Sequence, residues 1–342
     1  MTSKSKSGHL KIMSLFRRGS FFLCLFLICA FFYSALQAQE DPAYPFKTLQ
    51  NDLDQGNYQN ILSHFSVYQA QCGSDGDNRN LKHYYEKLGA WENHLALKKW
   101  TGIDGSSCVP WTAMAFACLG KGAEYRGNGD EDKVAVEDLK TFKQYLDVAS
   151  FCLAAAVKLG QADPYPYVFT LEVEVDRACL EKSVMQDYLD KALAISPNNY
   201  DALNVMARYH SPMWCGSEQE MASFIKTYVS SRPPGSYSRL IIVRYFQEVW
   251  ISRKFDPKFL HDGKVWNAIN SEFSTFFKYH PENVYYRSAY AFWACHFNHF
   301  YIAKTQFDIS GDQWDSNLWT SHEVELGAKK DVEDWVAAHP QH

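Results

Sequence analysis

Apolar positions along this chain recur at helical spacing, with almost no sustained alternation. Residues 46–71 read as a helix pair: FKTLQNDLDQ, a Gly56-Asn57 break, then YQNILSHFSVYQAQ. Residues 72–80 are polar and rich in Gly and Asp, which predicts a loop. Leu81, Tyr84, Leu88, Trp91, Leu95 and Trp100 then restore the helical period, and residues 101–110 form another loop. An apolar, small-residue helix is predicted over 111–123, a charged loop over 127–133, and a long helix over 134–159 ending at Gly160. Pro164 and Pro166 mark a break. LEVEVDR at 171–177 alternates as a strand would, but it sits in a helical run and reads as helix.

The stretch from Asp187 to Ser230 is the clearest. Met185, Tyr188, Leu189, Ala192, Leu193 and Ile195 continue one apolar face. Pro197 stops that helix and pushes Ser196 toward extended backbone. Asn198 or Asn199 then caps a second helix, with Ala202, Leu203, Met206, Ala207 and His210 on one side and Pro212 at its end. Gly216 frees the turn, and Ser217 with Glu220 three residues on is a capping-box pattern opening a third helix. Trp214, Cys215, Gly216 and Ser217 form the candidate site: an anchor for the turn, or part of a partner-binding surface.

The phrase ALAISPNNYDAL resembles a tetratricopeptide junction. Pro197, Pro233 and Pro281 are separated by 36 and 48 residues, against a repeat of about 34. The longer gap implies an insertion near residues 256–263. Ala192 stands where the repeat wants Ala, but Tyr228 and Phe276 occupy that place in the later junctions. The expectation is an all-α fold, a helix-pair array resembling a tetratricopeptide-type α-solenoid. Its segments would be a signal peptide at 1–38, an N-terminal helical region at 39–160 and a repeat region at 161–342. The motif order AEYRGNG (123–129), ALAISP (192–197) and PMWCGS (212–217) resembles the bacterial domain of unknown function 4034 family, with Cys215 in place of a family Gly. That resemblance implies a helical fold, export in some members, and no catalytic residues.

Charge then narrows the partner. The first 38 residues carry Lys4, Lys6, Lys11, Arg17 and Arg18 and no acid. The remaining 29 basic and 39 acidic residues give −10, which argues against nucleic acid. The basic start, the apolar run at 21–33 and a small Ala38 predict a cleaved export signal and a periplasmic or secreted protein. A membrane is implied only if this segment is retained as an anchor. Cys24 and Cys29 lack a lipobox.

Candidate chemistry is sparse. Cys118, Cys152, Cys179 and Cys295 sit in apolar helical contexts and read as buried small hydrophobes. Cys72 and Cys108, in loop-like segments, are either free or paired. Cys215 is either a turn residue or, at a helix start, a thiol of lowered pKa. His296 and His299 at i, i+3 are the weak metal candidates, with packing as the plainer reading. Asp75, Asp77 and Asn78, like Asp130, Glu131 and Asp132, lack the register of a calcium loop. His322-Glu323 lacks the second His of a zincin helix, and no phosphate-binding glycine motif is present. No cofactor is implied. The reading is a binder of a protein or peptide. The rival is an envelope enzyme, hydrolase-like, with a site assembled from distant residues such as His210, Glu248 and His296.

Overall fold

Successive helices lie against one another through small residues and aromatic rings. The structure, a computed structural model, describes residues 44–72, 79–127, 133–160, 162–177, 180–314, 318–319 and 321–340. The expected signal segment, both proposed calcium loops and Cys179 lie outside the described residues. Among the described residues there are helices and no strands.

The described residues divide into two compact units, one holding residues 44–126 and 134–255, the other residues 127, 133 and 256–340. The expected border at 160/161 falls inside the first unit, because the long helix before it and the helix after it pack together. The border falls instead at 255/256, beside the 256–263 stretch that stretched the repeat spacing.

The first unit contains α1 (Phe46–Gln55), α2 (Tyr58–Gln71), α3 (Arg79–Leu88), α4 (His94–Ile103), α5 (Cys108–Arg126), α6 (Val136–Lys158), α7 (Tyr165–Arg177), α8 (Lys182–Ile195), α9 (Tyr200–Tyr209), α10 (Glu218–Ser230) and α11 (Ile241–Ser252). Gly56 ends α1 in the left-handed region, at φ 74°. The single helix predicted over 81–100 is two helices. Gly89 breaks it where the backbone of α5 comes close; a Cβ there would lie 2.6 Å from the Ala113 carbonyl. Ala, Cys and Gly along α5 likewise let α6 approach, with Gly122 against Phe142 and Tyr145. α6 opens with Glu137 and Asp138 and ends with Lys158, charges that oppose its dipole.

The packing order is regular. α3, α5, α7, α9 and α11 contact one another in turn, while α6, α8 and α10 each pack against the odd-numbered helix next to them. α7 lies at the centre of this order. Tyr165, Val168, Phe169, Leu171, Val173 and Val175 are all buried around its circumference, so its apolar residues do not confine themselves to one stripe. This is why LEVEVDR mimics alternation while being helical.

The second unit contains α12 (Gly263–Tyr279), α13 (Tyr285–His296), α14 (Phe300–Ser310) and α15 (His322–Ala338). Its interior is aromatic: Trp293, Trp319, Phe273, Phe276 and Phe307 are buried. Trp319 Nε1 donates to Ser288 Oγ at 3.0 Å, and that hydroxyl donates to the buried Glu325 at 3.2 Å. Asp262 and Ser321 cap α12 and α15 through side-chain oxygens.

Candidate functional site

The α9–α10 turn is built as the sequence implies, and the structure chooses between the two asparagines offered for the cap. Asn199, not Asn198, caps α9, accepting from Ala202 N at 2.9 Å. Asn198 accepts from Ser238 Oγ instead, at 3.2 Å. Ser217 caps α10 by accepting from Glu220 N at 3.2 Å. The Glu220 carboxylate pairs with Lys182 on α8 and reaches back to the Ser217 backbone, and the Lys182 contact holds its pKa below the usual range. Gly216 is needed for space rather than for a left-handed backbone: a Cβ would run into the His210 carbonyl group. Cys215 is disulfide-bonded, so it offers no thiolate. Trp214 is half-buried. It packs on the core with its ring face 5.0 Å from the Arg208 guanidinium.

Arg208 leads inward to a seam of charges that sequence reading missed. Its Nη2 lies 3.8 Å from Asp176 on α7, whose side chain is 2% exposed. One turn back on α7 is Glu172, which interacts with Lys82, Arg208, Asp201 and Glu86. Lys82 of α3 donates to Asp201 of α9 at 3.0 Å, and Tyr165 OH donates to the other oxygen of Asp201, also at 3.0 Å. Glu86 stands 4.0 Å from Lys82 and 3.1 Å from His83 Nδ1. α7 and α9 run the same way, since Tyr165 meets Asp201 near their starts and Asp176 meets Arg208 near their ends. Asn204, between Asp201 and Arg208 on the same face of α9, falls opposite the Glu172 turn.

The electrostatics of the seam are uneven. Burial works against the charge of Lys82, but Asp201, Glu86 and Glu172 outweigh it and raise its pKa. Burial raises Glu172, against the pull of Lys82 and Arg208. Burial pushes Asp176 up to about 7, with Arg208 and Arg126 pulling down and Glu172 pushing further up. Three acceptor atoms here are buried without a hydrogen bond: Asp176 Oδ2, Glu86 Oε1 and Asn204 Oδ1. Buried acceptors ordinarily find a donor, so these atoms set the seam apart from the better-paired polar groups around it.

Other candidates stand outside the seam. A groove of about 600 Å³ between α8 and α10 touches His210 and Phe224; Lys182 pairs with Glu220 there and Gln186 Nε2 with Tyr228 OH at 2.8 Å, while His210 Nδ1 makes no hydrogen bond. Neither Cys72 nor Cys108 is in a disulfide, and both thiols lie near the buried Asp163. Burial pushes Cys72 up to about 12 and raises Cys108 as well, so neither is a ready nucleophile.

The histidine pair does not share a helix face. α13 ends at His296, Asn298 turns left-handed at φ 61°, and His299 precedes α14. His296 Nδ1 is 2.8 Å from the Phe292 carbonyl, and burial pushes its pKa down to about 4; His299 stacks on Trp266 at 4.0 Å. Among the described residues no group of three or more His, Cys, Asp or Glu is placed to hold a metal. Nor do His210 and Glu248 converge: Glu248 is paired with Arg244 at 2.5 Å, and the His210 ring lies on Phe224 at 5.0 Å. No helix among the described residues is long and apolar enough to cross a membrane. No protein-family model, curated protein or solved structure matches the chain.

Proposed function

We propose that this is an exported helical-repeat scaffold, arranged like a tetratricopeptide solenoid, that binds a protein or peptide partner in the cell envelope. The observation that carries the reading is the seam, where acceptors without donors lie along α3, α7 and α9. These helices belong to the odd-numbered series that stack on one another, the order in which a solenoid presents a shared surface. Export is supported by the basic and apolar N-terminal pattern and by the disulfide at Cys215, a bond that persists in oxidising compartments. The resemblance to the domain of unknown function 4034 family agrees with this and assigns no residue roles. A crosslinked capture from the envelope fraction tests the proposal: one partner should be recovered with the parent chain and lost with the Glu172→Gln/Asp176→Asn double variant. Equal recovery with both chains contradicts it.

A further inference from the structure

We propose that the groove between α8 and α10 binds an uncharged saccharide, which stacks on its aromatic floor and hydrogen-bonds to its polar rims. The groove is separate from the seam, and the proposal stands or falls independently of the scaffold reading. Both helices pack on α9, and the space between them, about 600 Å³, is of the size that takes a small ligand.

The floor is a ladder of rings. Phe224 and Tyr228, one turn apart on α10, have ring centroids 4.7 Å apart, and the His210 ring, just past the end of α9, lies 5.0 Å from Phe224. Burial holds His210 below the usual histidine range, so the ring adds no charge at neutral pH, and its Nδ1 makes no hydrogen bond. The lysine and the glutamate that line the groove, Lys182 and Glu220, are paired with each other.

The rims carry donors and acceptors together. Gln186 Nε2 donates to Asp190 at 2.7 Å and to Tyr228 OH at 2.8 Å, which leaves the Gln186 carbonyl oxygen to accept and the Tyr228 proton to donate. Burial raises the Tyr228 pKa, so the phenol keeps that proton. The Thr227 hydroxyl donates to the Ser223 carbonyl at 2.9 Å, and its oxygen is left to accept. Gln219 and Ser223 are exposed groove residues, each with a donor and an acceptor.

This inventory selects the ligand. An anion brings only acceptors and a cation only donors, and the groove offers no excess charge to either. A partner strand pairs through free backbone groups, which helix interiors have already used. A partner helix needs an apolar stripe out to the rims, and these rims are polar. A sugar ring has apolar C–H faces for the ring ladder and, around its edge, hydroxyls that each donate and accept.

The test is titration calorimetry of the full chain with maltotriose, cellotriose and the N-acetylglucosamine trimer, at low and high salt, with the uncharged peptide acetyl-Gly-Tyr-Gly-amide for comparison. The expected result is binding of at least one trisaccharide, with an affinity that salt leaves unchanged. Ser223→Trp puts a bulky ring at an exposed groove position and should weaken that binding by about tenfold or more with the melting curve of the parent. Gln219→Ala with Thr227→Val strips one rim, leaves the ring ladder in place and should weaken it about tenfold, which keeps the test sound if Ser223→Trp misfolds. No binding of any of the three sugars, tighter binding of the peptide, or unchanged sugar binding in either folded variant overturns the inference.

Discussion

α7 has a buried aspartate near each end, and the contrast between them separates structure from function. Asp163, just before the helix starts, is fully buried and surrounded by donors. Tyr85 OH donates to it at 2.5 Å, Gln69 Nε2 at 2.6 Å and the Tyr165 backbone N–H at 2.8 Å, with Cys108 Sγ at 3.9 Å. It also lies at the positive end of the helix dipole. Burial raises its pKa, and those four donors pull the other way. Asp176, one residue before the helix ends, lies at the negative end of the dipole, makes no hydrogen bond through Oδ2 and has Arg208 only at 3.8 Å. One carboxylate completes a core; the other keeps an incomplete shell of donors. The second arrangement adds little to stability, because a buried carboxylate so weakly supported costs desolvation that its one ion pair does not recover.

Asp163→Ala should have the largest effect. It leaves Tyr85, Gln69 and the Tyr165 N–H without their acceptor in a dry interior, for a loss of about 3–5 kcal/mol in urea unfolding. Cys215→Ser comes next. The disulfide ties down the residue next to Trp214, and its removal should cost about 2–4 kcal/mol against the oxidised parent, with the reduced parent matching the variant. Trp214→Ala should cost less, about 1–3 kcal/mol, because the ring is half-buried and a fully buried Trp would cost more. Thermal melts of the two turn variants fix the order, which inverts if Trp214 is the true anchor. Asp176→Asn should matter least to stability at pH 5, about 1 kcal/mol or less, since the amide keeps the shape and sheds a charge that is poorly supported.

Much of the scaffold is legible in local sequence. The Gly56 stop, the Asn199 and Ser217 caps and the Pro197 break each act within a few residues, and each stands where the pattern puts it. The break at Gly89 was not legible, because its cause is the Ala113 backbone of another helix. The seam was missed for the same reason: Lys82 and Glu86, Glu172 and Asp176, and Asp201 and Arg208 come from three helices far apart in the chain. A signal did exist. Each pair repeats at one or two helical turns, most plainly Glu172 and Asp176 among the buried apolar residues of α7. The Trp214 turn was visible as a feature, but its half-buried state and its contact with Arg208 depend on packing that local pattern does not encode.

The most direct measurement is urea unfolding of the parent, Asp163→Asn and Asp176→Asn between pH 4 and pH 8. Asp176 has a folded pKa of about 7, above the roughly 3.9 of an unfolded aspartate. The folded chain therefore binds more protons than the unfolded chain between those values, and this residue lowers stability as pH rises through that window. The account predicts that Asp176→Asn gains on the parent steadily from pH 4 to pH 7, with the gap level above that, while Asp163→Asn is less stable than the parent throughout. An Asp176→Asn protein as destabilised as Asp163→Asn, or a gap that does not move with pH, would contradict it.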